Sequence, residues 1–528
     1  MESKEINDNF NKLLLNEPPQ IQEQEEEKGE QIPDSGSGVQ NQKIKIAMLG
    51  NVDAGKSTMV GILTSAPGQL DDGRGAMRAN VFNYAHEIKN GRTSSVAHEI
   101  MGFSETGDQV IPDHQVKMKN KRWPAIVNNS SKIINFTDLC GHEKYLKTTM
   151  HGLTSSFPDY CMIMVGANMG VSKMTKEHIG VANALGLPMI VVFTKMDLAP
   201  EDVFQTNLTK MTKIMKTACS KVPVMVKTEE DIKKVIQTVG QGKVCPIFCV
   251  SSLTGEGIEN LRTFLRDIPK PPFKSMIRGE EQKSDGEKST PESEITTQFV
   301  VDSQFMTKAF GLILGGVVVK GTVKLNQELM FGPDKNGNFK PVIIKGIHED
   351  RVPITEAGVS QSVCVNVKSK DPIKRNHIRK GVSLINPMKA KNFNPYHQVV
   401  CKYFDAQIKV LHHHTTIQEG YQAVMHVAGI RQTVQAIKLT KNCMRTNDVD
   451  TVRFKFKYGV EIVSKGTQVM MTEGNTKAIG VITAVYPMSQ PPTDLVDKFT
   501  KCDNKAGLIT STAPTATQQQ IKGSTPSV

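Results

Sequence analysis

Residues 50–60 read GNVDAGKSTMV and directly follow the apolar run KIKIAML at residues 43–49. The spacing from Gly50 to Ser57, G-x-x-x-x-G-K-S, is that of the phosphate-binding loop, in which small residues let main-chain N–H groups surround the oxygens of a nucleoside triphosphate. The preceding run predicts a buried strand, and the apolar spacing of residues 57–64 predicts a helix whose N-terminus faces the anion. A glycine-rich turn without a ligand is the alternative, but the strand, loop and helix context favours the phosphate loop.

Two side chains of this loop are predicted to bind the nucleotide directly. Lys56 would reach the β- and γ-phosphates, and Ser57 would ligate Mg²⁺. The loop alone does not select a particular nucleotide. The predicted nucleotide-binding residues of the loop are Gly50, Asn51, Val52, Asp53, Ala54, Gly55, Lys56, Ser57 and Thr58.

A second motif lies in NFTDLCGHEKY at residues 135–145. Asp138 ends a predicted strand, and Gly141 follows three positions later. In a GTPase switch such an aspartate holds Mg²⁺ through water, and the glycine amide bonds the γ-phosphate in the triphosphate state only. A D-x-x-G pattern alone also occurs in ordinary turns, so its position after the phosphate loop is what favours a switch.

The stretch VVFTKMDL at residues 191–198 predicts which base is bound. The Asp197 carboxylate at the end of a strand can accept both N1–H and the exocyclic amine of guanine, a donor pair that adenine lacks. Lys195 precedes it by two positions, and Thr194 stands where the usual motif N-K-x-D has asparagine. The sequence therefore predicts GTP and GDP as the nucleotides, with an altered contact at Thr194.

A last strand-end motif, CVSSLTGEG at residues 249–257, is predicted to complete the base site. The main-chain amide of Ser251 or of Ser252, with Leu253 beside them, would bond the guanine oxygen. The motifs follow the order of a GTPase, each at the end of a strand, and such an order is much more specific than any one of them.

The first switch is predicted within NGRTSSVAHEIMGF at residues 90–103. A hydroxyl of this segment must close over the nucleotide and ligate Mg²⁺ only while the γ-phosphate is present. Thr93 is the predicted ligand, and Ser94 is the alternative. With Ser57 and Asp138, Thr93 completes the predicted metal site.

The charge of the chain is unevenly distributed. The 528 residues carry a formal net charge of +12, yet residues 1–42 contain ten acidic residues and three lysines, so residues 43–528 carry +19. A folded body this basic favours a polyanionic partner, and the nucleotide loop makes RNA the preferred hypothesis. Solvated lysines that serve only solubility are the alternative.

Composition also indicates the cellular compartment in which the protein works. The nine cysteines include no C-x-x-C pair, which is typical of a reduced intracellular protein. The chain has no run of about 18 apolar residues and no signal-peptide pattern, so we expect a cytoplasmic protein without a membrane span. At about 150 residues per domain, its length predicts three or four structural units.

Strand-like runs alternate with helical patterns up to about residue 268, as in a parallel sheet with helices on both faces, and short alternating strands with glycines follow after residue 295. The predicted units are a disordered acidic tail at 1–42, a GTP-binding domain at 43–272, a charged linker at 273–294, β-barrels at 295–390 and 391–490, and a disordered tail at 491–528.

Taken together, the phosphate loop GNVDAGKST, the switch DLCGHEKYLKTT and two following barrels resemble the translational GTPases related to elongation factor Tu. Three features are similar to the branch formed by GTP-binding protein 1 and GTP-binding protein 2: GRTSSV in the first switch, threonine before K-x-D, and VLHHHTTIQEGYQAVMHVAGIRQT in the last barrel. The resemblance covers about residues 43–487. It implies an α/β P-loop GTPase domain followed by two all-β barrels, and Mg-dependent hydrolysis of GTP.

The resemblance also implies roles for individual residues. His142, with Lys56, would be catalytic: it would orient or polarise the attacking water once a large activating partner is engaged. A histidine that merely caps the switch helix is the alternative. Asp53 would help to arrange the loop and a monovalent ion, and His414 stands where the branch has proline.

Two functional hypotheses remain. In the first, the protein is a monomeric translational GTPase that binds aminoacyl-tRNA and ribosomes, or acts with the messenger RNA decay machinery. In the second, it is a regulatory switch whose effector is a protein and whose basic surface is incidental.

Two isolated features carry competing interpretations. Trp123, among basic residues, is predicted to pack a hairpin, with stacking on a nucleobase as the alternative. His412, His413 and His414 suggest a metal site, but consecutive strand residues point to opposite faces, which argues against one.

Overall fold

The computed structural model describes residues 41–112, 119–272, 295–307, 310–371, 373, 378–388, 394–412, 416–473 and 476–492. The predicted linker at 273–294 lies outside these residues, as do nearly all of the two predicted tails and the pair His413 and His414. The first strand begins at Gln42, one residue before the predicted start of the GTP-binding domain.

An eight-stranded, mostly parallel sheet forms the centre of the GTP-binding domain. Its strand order is β3-β2-β4-β1-β5-β6-β8-β7, with β2 and β3 antiparallel to their neighbours. The strands are β1 (Gln42–Gly50), β2 (Ala97–Phe103), β3 (Gln109–Val110), β4 (Lys132–Asp138), β5 (Tyr160–Gly166), β6 (Met189–Thr194), β7 (Val222–Met225) and β8 (Val244–Cys249).

Helices cover both faces of this sheet. One apolar core lies beneath α1, α8 and α9, and a second lies beneath α5, α6 and α7. The helices are α1 (Lys56–Leu63), α2 (Ala76–Ala79), α3 (Ala85–Asn90), α4 (Lys119–Asn128), α5 (Leu146–Ser155), α6 (Lys173–Ala184), α7 (Glu201–Thr217), α8 (Glu229–Val239) and α9 (Ile258–Asp267).

The sheet topology places the sequence motifs together. Strand β1 is buried from Ile44 to Gly50, as expected of a central parallel strand with both faces covered. Its parallel neighbour β4 ends at Asp138, and further along the sheet β6 ends at Thr194 and β8 at Cys249. Because the carboxyl ends of parallel strands meet at one edge, the four motifs share a single crevice there.

The prediction that Trp123 packs a hairpin is wrong. Trp123 lies in α4, and its ring packs with Ile100, Ile126 and Ile133 between that helix and the sheet. The side chain is 9% exposed, with the guanidinium of Arg351 5.4 Å from the ring centroid. The ring therefore belongs to a core and is not available for stacking on a nucleobase.

The first β-rich unit after the GTP-binding domain contains nine strands in its described residues, and six of them close into a ring. Its order is β12-β17-β9-β10-β16-β13, and β13 pairs back with β12. The strands are β9 (Gln298–Thr307), β10 (Gly311–Lys320), β11 (Val323–Lys324), β12 (Glu328–Gly332), β13 (Lys340–Glu349), β14 (Val352–Ile354), β15 (Glu356–Ala357), β16 (Ser362–Lys368) and β17 (Ser383–Ile385).

A second closed barrel completes the described chain, with the order β18-β21-β20-β19-β22-β23. The sequence prediction of a P-loop α/β domain followed by two all-β barrels is thereby confirmed. The strands are β18 (Cys401–His412), β19 (Gln422–Val427), β20 (Ile430–Leu439), β21 (Val449–Phe456), β22 (Gln468–Glu473) and β23 (Thr476–Pro487).

Both barrels contact the GTP-binding domain. Val300 and Val317 of the first barrel and Met470 of the second join the apolar core beneath α5, α6 and α7. Lys45, buried at the start of β1, donates from Nζ to the main-chain oxygen of Ser360 at 2.8 Å. The barrels thus pack on the same body that carries the nucleotide motifs.

The described residues lack two features, a membrane-spanning helix and a cluster of metal-ligating side chains. None of their helices is long and apolar enough to cross a membrane. They also contain no group of three His, Cys, Asp or Glu side chains arranged to hold a metal ion.

Candidate functional site

The phosphate loop joins the end of β1 to the start of α1. Gly55 adopts the left-handed conformation, φ 79°, directly before α1, and Asp53 in the loop also has a positive φ of 58°. These turns place the free N–H groups of the first turn of α1 at the carboxyl edge of the sheet. A helix N-terminus with free N–H groups binds anions.

Lys56 is a buried cation inside this loop. Its side chain donates from Nζ to the main-chain oxygens of Asn51 at 2.9 Å and Gly50 at 3.3 Å. Burial lowers the pKa of Lys56, which nearby Asp138 partly offsets. An anion beside Nζ would compensate this burial, so the loop is suited to phosphate oxygens.

Three oxygens converge next to Lys56. Ser57 Oγ donates to Asp138 Oδ2 at 2.5 Å, and the Thr93 hydroxyl lies 2.7 Å from Ser57 Oγ and 3.3 Å from Asp138 Oδ2. The Ser94 hydroxyl is turned away, 2.9 Å from Glu87 Oε1. The structure therefore brings together the predicted metal ligands Ser57, Thr93 and Asp138.

The donor set fits a hard divalent cation. Asp138 Oδ1 is buried and has no hydrogen-bond partner among the described residues, and burial raises the pKa of this carboxyl. A cation at this point would satisfy the carboxylate and keep it ionised. One carboxylate and two hydroxyls match the way Mg²⁺ is bound, with few protein ligands plus phosphate and water oxygens.

Gly141 approaches the loop so closely that only glycine fits. A Cβ at this position would lie 2.5 Å from Lys56 Nζ and 2.8 Å from the main-chain oxygen of Asn51. The position therefore suits an amide that reaches the terminal phosphate, as the sequence predicts for a backbone switch.

His142 follows at the surface. It is exposed, its Nδ1 accepts a hydrogen bond from the Lys144 amide at 3.1 Å, and its ring packs edge-on against Tyr145. In this arrangement it caps the 3₁₀ turn Glu143–Tyr145. Among the described residues its ring contacts are those of this local turn, which lies on the same switch as Gly141.

Thr194 connects the base motif to the phosphate loop. Its hydroxyl donates to the main-chain oxygen of Ala54 at 3.0 Å, and its side chain faces Gly55. The residue that replaces the usual asparagine is thus fully buried and hydrogen-bonded to the loop. Lys195 follows with a positive φ of 59°, which turns the chain toward Asp197.

Asp197 and Ser251 meet across the base site. Ser251 Oγ donates to Asp197 Oδ1 at 2.5 Å and accepts from the amides of Leu253 and Thr254. The Ser251 amide itself donates to the main-chain oxygen of Glu256 at 3.0 Å. Of the two predicted guanine-reading amides, that of Ser251 is therefore engaged within its own loop, which leaves the amide of Ser252 as the candidate.

One further contact at the phosphate loop has no counterpart in any sequence motif. The amide of Gly50 donates to Nδ1 of His178, a fully buried residue of α6, at 3.2 Å. Burial lowers the pKa of His178 to about 3, so the ring is neutral and can accept this bond. The two residues are 128 positions apart, and no sequence pattern joins them.

The comparisons with known proteins agree with this geometry. The family model for the elongation factor Tu GTP binding domain matches residues 41–271. GTP-binding protein 1 of Xenopus laevis is 38% identical over 467 residues, which are 87% of this chain and 67% of that protein. The chain belongs to the family of GTP-binding protein 1 and GTP-binding protein 2.

Another relative and a solved structure extend the comparison. GTP-binding protein 2 of Homo sapiens is 34% identical over 84% of this chain and 70% of its own length. The translation elongation factor SelB of Methanococcus maripaludis, solved with the GTP analogue GppNHp, superposes with a TM-score of 0.53 at 16% identity. That match covers 85% of this chain and 80% of SelB, and it shows a shared fold.

The family assignment confirms the predicted resemblance and the predicted activity. As a member of the GTP-binding protein 1 and 2 family with an elongation factor Tu GTP-binding domain, the protein is a GTPase of the elongation factor Tu-like translational class. Its nucleotides are GTP and GDP.

Proposed function

We propose that the protein is a GTP-controlled switch that binds aminoacyl-tRNA and the ribosome, as a cytoplasmic monomer acting in translation elongation or messenger RNA turnover. The observation that carries the proposal is the contact between the second switch and the last barrel. Loss of the γ-phosphate would move the second switch, and this contact would transmit the movement to the last barrel. The bound nucleotide would thereby control the position of the RNA-binding surface of the barrels.

The contact is formed by α5, which follows Gly141 and His142 after the 3₁₀ turn Glu143–Tyr145. His151 of this helix is buried, and the helix packs on β19, whose His426 is fully buried. At the edge of the contact, Nζ of Lys147 on α5 lies 3.8 Å from Oε2 of Glu473 on β22. Packed interfaces move between discrete arrangements, so a shift of Gly141 would reposition α5 and loosen the barrel.

The last barrel also carries a basic face with aromatic side chains. On β21, Val452, Phe454 and Phe456 point into the barrel, so Arg453 and Lys455 point outward. Lys455 lies beside the ring of Tyr403, and Lys457 lies beside the ring of Tyr458. Arg453 lies beside Tyr486 and is ion-paired with Asp405, so the two lysines are the cations of this face that the proposal uses.

This face is directed away from the GTP-binding domain. In the six-stranded ring β21 stands opposite β22, whose Met470 packs against that domain. Residues 391–490 contain twelve lysines and arginines against six acidic residues. Cations beside aromatic rings are suited to phosphates and bases of RNA, which supports an RNA partner.

At the nucleotide we propose Mg²⁺ held by Ser57, Thr93 and, through water, Asp138. Mg²⁺ would draw charge from the terminal phosphates during hydrolysis. Lys56 would hold the β- and γ-phosphates, and the Gly141 amide would bond the γ-phosphate. We further propose that His142 leaves its surface cap and orients the attacking water when the activating partner binds.

For the base we propose that Asp197 accepts the two donors of guanine. Ser251 fixes the carboxylate by its hydrogen bond, and the Ser252 amide would donate to the guanine oxygen. These contacts select guanine because adenine offers an acceptor where guanine offers N1–H.

Retention on aminoacyl-tRNA tests the proposal. We expect binding with GppNHp and much weaker binding with GDP, and a steep loss of affinity as salt rises. The double charge reversal Lys455→Glu and Lys457→Glu should abolish most of this binding. The same reversal at Lys213 and Lys216, exposed on α7, is the matched control and should have little effect.

An effector protein is the second candidate, favoured by an apolar hairpin tip. Phe305 and Met306 on β9 and Phe310 before β10 are 54%, 55% and 67% exposed. Such a cluster is typical of a protein contact. GTP-dependent capture of a protein after nuclease treatment, lost on Phe310→Asp, would favour this candidate, whereas loss of all GTP-dependent partners on nuclease treatment would favour RNA.

A further inference from the structure

Glu87 is a fully buried carboxylate in the short helix α3, next to the first switch. Its Oε1 accepts four hydrogen bonds, from the amides of Ser94 and Ser95 at 2.7 and 2.9 Å and from their hydroxyls at 2.9 and 3.0 Å. Its Oε2 accepts from the amides of Asn83 and Tyr84 at 3.0 and 3.3 Å. One side chain therefore holds two separate stretches of main chain.

Helix capping explains only half of this arrangement. The bonds from Oε2 to the start of α3 form an ordinary capping box, in which the third helical residue bonds the amide before the helix. The bonds from Oε1 reach seven and eight residues further along the chain. These bonds do not cap a helix. They fix the position of Ser94 and Ser95, the two residues that follow Thr93.

The carboxylate is held in its ionised form. Burial acts to raise the pKa of Glu87, but the hydrogen bonds from Ser94, Ser95 and Asn83 outweigh it, and the net pKa is lowered. Hydrogen bonds to an ionised acceptor are stronger than those between neutral groups. We call the bonds of Glu87 Oε1 to Ser94 and Ser95 the clasp. The clasp is therefore a strong local restraint on the first switch.

The restraint acts on a predicted metal ligand. Thr93 precedes Ser94 in the chain, and its hydroxyl lies 2.7 Å from Ser57 Oγ and 3.3 Å from Asp138 Oδ2. With the next two residues fixed, Thr93 has little freedom to leave this position. The serine pair of the GRTSSV segment thus has a structural task that differs from metal binding.

We propose that Glu87 is a positioning residue that holds the first switch closed, through Ser94 and Ser95, so that Thr93 stays at the metal site while GTP is bound. First switches of this kind detach when the γ-phosphate leaves. The clasp therefore contributes to the GTP-bound state and not to the GDP-bound state, and it raises the preference of the protein for GTP.

Nucleotide affinities of Glu87→Gln test this role. Glutamine keeps the shape of the side chain. Its NH₂ group replaces one of the two carboxylate oxygens and therefore faces N–H or O–H donors that it cannot accept from. We expect about a tenfold loss of GppNHp affinity at constant Mg²⁺, with GDP affinity within about twofold of the parent, as for the loss of charge-assisted hydrogen bonds. Glu105→Gln, at an exposed acidic residue between β2 and β3, is the matched control.

A second variant tests the bonds to the first switch without disturbing the cap of α3. Ser94→Ala with Ser95→Ala removes two of the four donors to Oε1 and leaves the capping box intact, so a smaller loss of GppNHp affinity, roughly threefold, is expected. Parent-like affinity for both nucleotides in Glu87→Gln would overturn the proposal. Equal loss of GppNHp and GDP, with a lower Tm, would also overturn it, because Glu87 would then only stabilise α3.

Discussion

The hydroxyl of Thr194 donates a hydrogen bond of 3.0 Å to the main-chain oxygen of Ala54, and so links the base-reading strand to the phosphate loop. The residue stands where the usual guanine motif has asparagine. A single buried hydroxyl thus makes a contact between two motifs that are 140 residues apart. The residue at the asparagine position of the base motif thus supports the phosphate loop of the nucleotide pocket.

Thr194→Val should weaken GTP and GDP alike. Valine keeps the volume of the side chain but leaves the Ala54 oxygen without this donor, which costs about 1 kcal/mol, or roughly fivefold in affinity. Fluorescence titration with labelled GDP and GppNHp measures the effect. Thr194→Ser retains the hydroxyl and should bind like the parent, and an unchanged Thr194→Val would show that the bond is dispensable.

Asp197→Asn should change the preferred base from guanine to xanthine. The amide donates to the second carbonyl of xanthine, and the Ser251 hydroxyl can still bond its oxygen. We expect GTP affinity to fall on the order of 10²-fold, because a site built for two donors then faces a mismatch. Competition between GTP and xanthosine triphosphate is the measurement, with Asp202→Asn on α7 as a control. A variant that still prefers GTP would place base reading elsewhere.

Thr93→Ala and Ser94→Ala separate the two predicted metal ligands. The Thr93 hydroxyl faces Ser57 and Asp138, whereas that of Ser94 faces Glu87. Thr93→Ala should therefore raise the Mg²⁺ concentration needed to retain GppNHp by about tenfold and leave GDP retention unchanged. Ser94→Ala should have a smaller effect. The opposite order would assign the ligand to Ser94.

His178 makes stability depend on pH. Burial lowers its pKa to about 3, whereas the unfolded chain has the ordinary value near 6.5. A base whose folded pKa is lowered contributes its full stability above pH 6.5 and loses it as pH falls toward 3, by up to about 1.4 kcal/mol per pH unit. The positive charges of Lys56 and Lys477 lower the pKa of His178 in the same direction as burial.

Thermal unfolding of His178→Asn beside the parent tests this dependence. Asparagine can accept the Gly50 amide but does not titrate. At pH 7 the parent should be at least as stable, and between pH 6.5 and 5 its Tm should fall more steeply than that of the variant. Parallel pH profiles would show that the ring does not titrate on unfolding in this range.

The strand-end motifs could be predicted because each one is local. Gly50 to Ser57, Asp138 with Gly141, and Thr194 to Asp197 are short patterns whose spacing alone defines the backbone they need. The parallel sheet then brings them to one edge without further information. Alternating short strands likewise predicted the barrels, because the period of two is readable in each strand.

Contacts between distant residues could not be predicted in this way. The bond from Gly50 to His178 and the clasp from Glu87 to Ser94 and Ser95 depend on how helices pack, which no local pattern encodes. The sequence predicts a hairpin at Trp123, but the residue lies in α4. Proline disfavours a helix interior, yet tertiary packing keeps the segment around Pro124 helical.

His142→Ala should separate binding from hydrolysis. The ring is exposed and bonded only to its own turn in the described contacts, so GppNHp affinity should stay within a few-fold of the parent. Partner-stimulated hydrolysis should fall on the order of 10²-fold or more, as for loss of a water-positioning group. Intrinsic turnover should change little.

Single-turnover hydrolysis and nucleotide titration on the same preparation check this prediction. Lys144→Ala changes a neighbouring exposed residue and keeps the main-chain amide that donates to His142 Nδ1, so it serves as the control. Parent-like stimulated hydrolysis in His142→Ala would reduce the histidine to a cap of the 3₁₀ turn. A large loss of GppNHp affinity would instead place it among the binding residues.

The most direct test of the whole account is the rate of GTP hydrolysis by the parent protein, measured alone, with ribosomes, with aminoacyl-tRNA, and with both. If nucleotide state controls RNA binding by the barrels, the two partners together should stimulate hydrolysis on the order of 10²-fold or more above the protein alone, and more than either partner does separately. An equal rate in all four conditions would contradict the proposal that aminoacyl-tRNA and the ribosome are the partners of this switch.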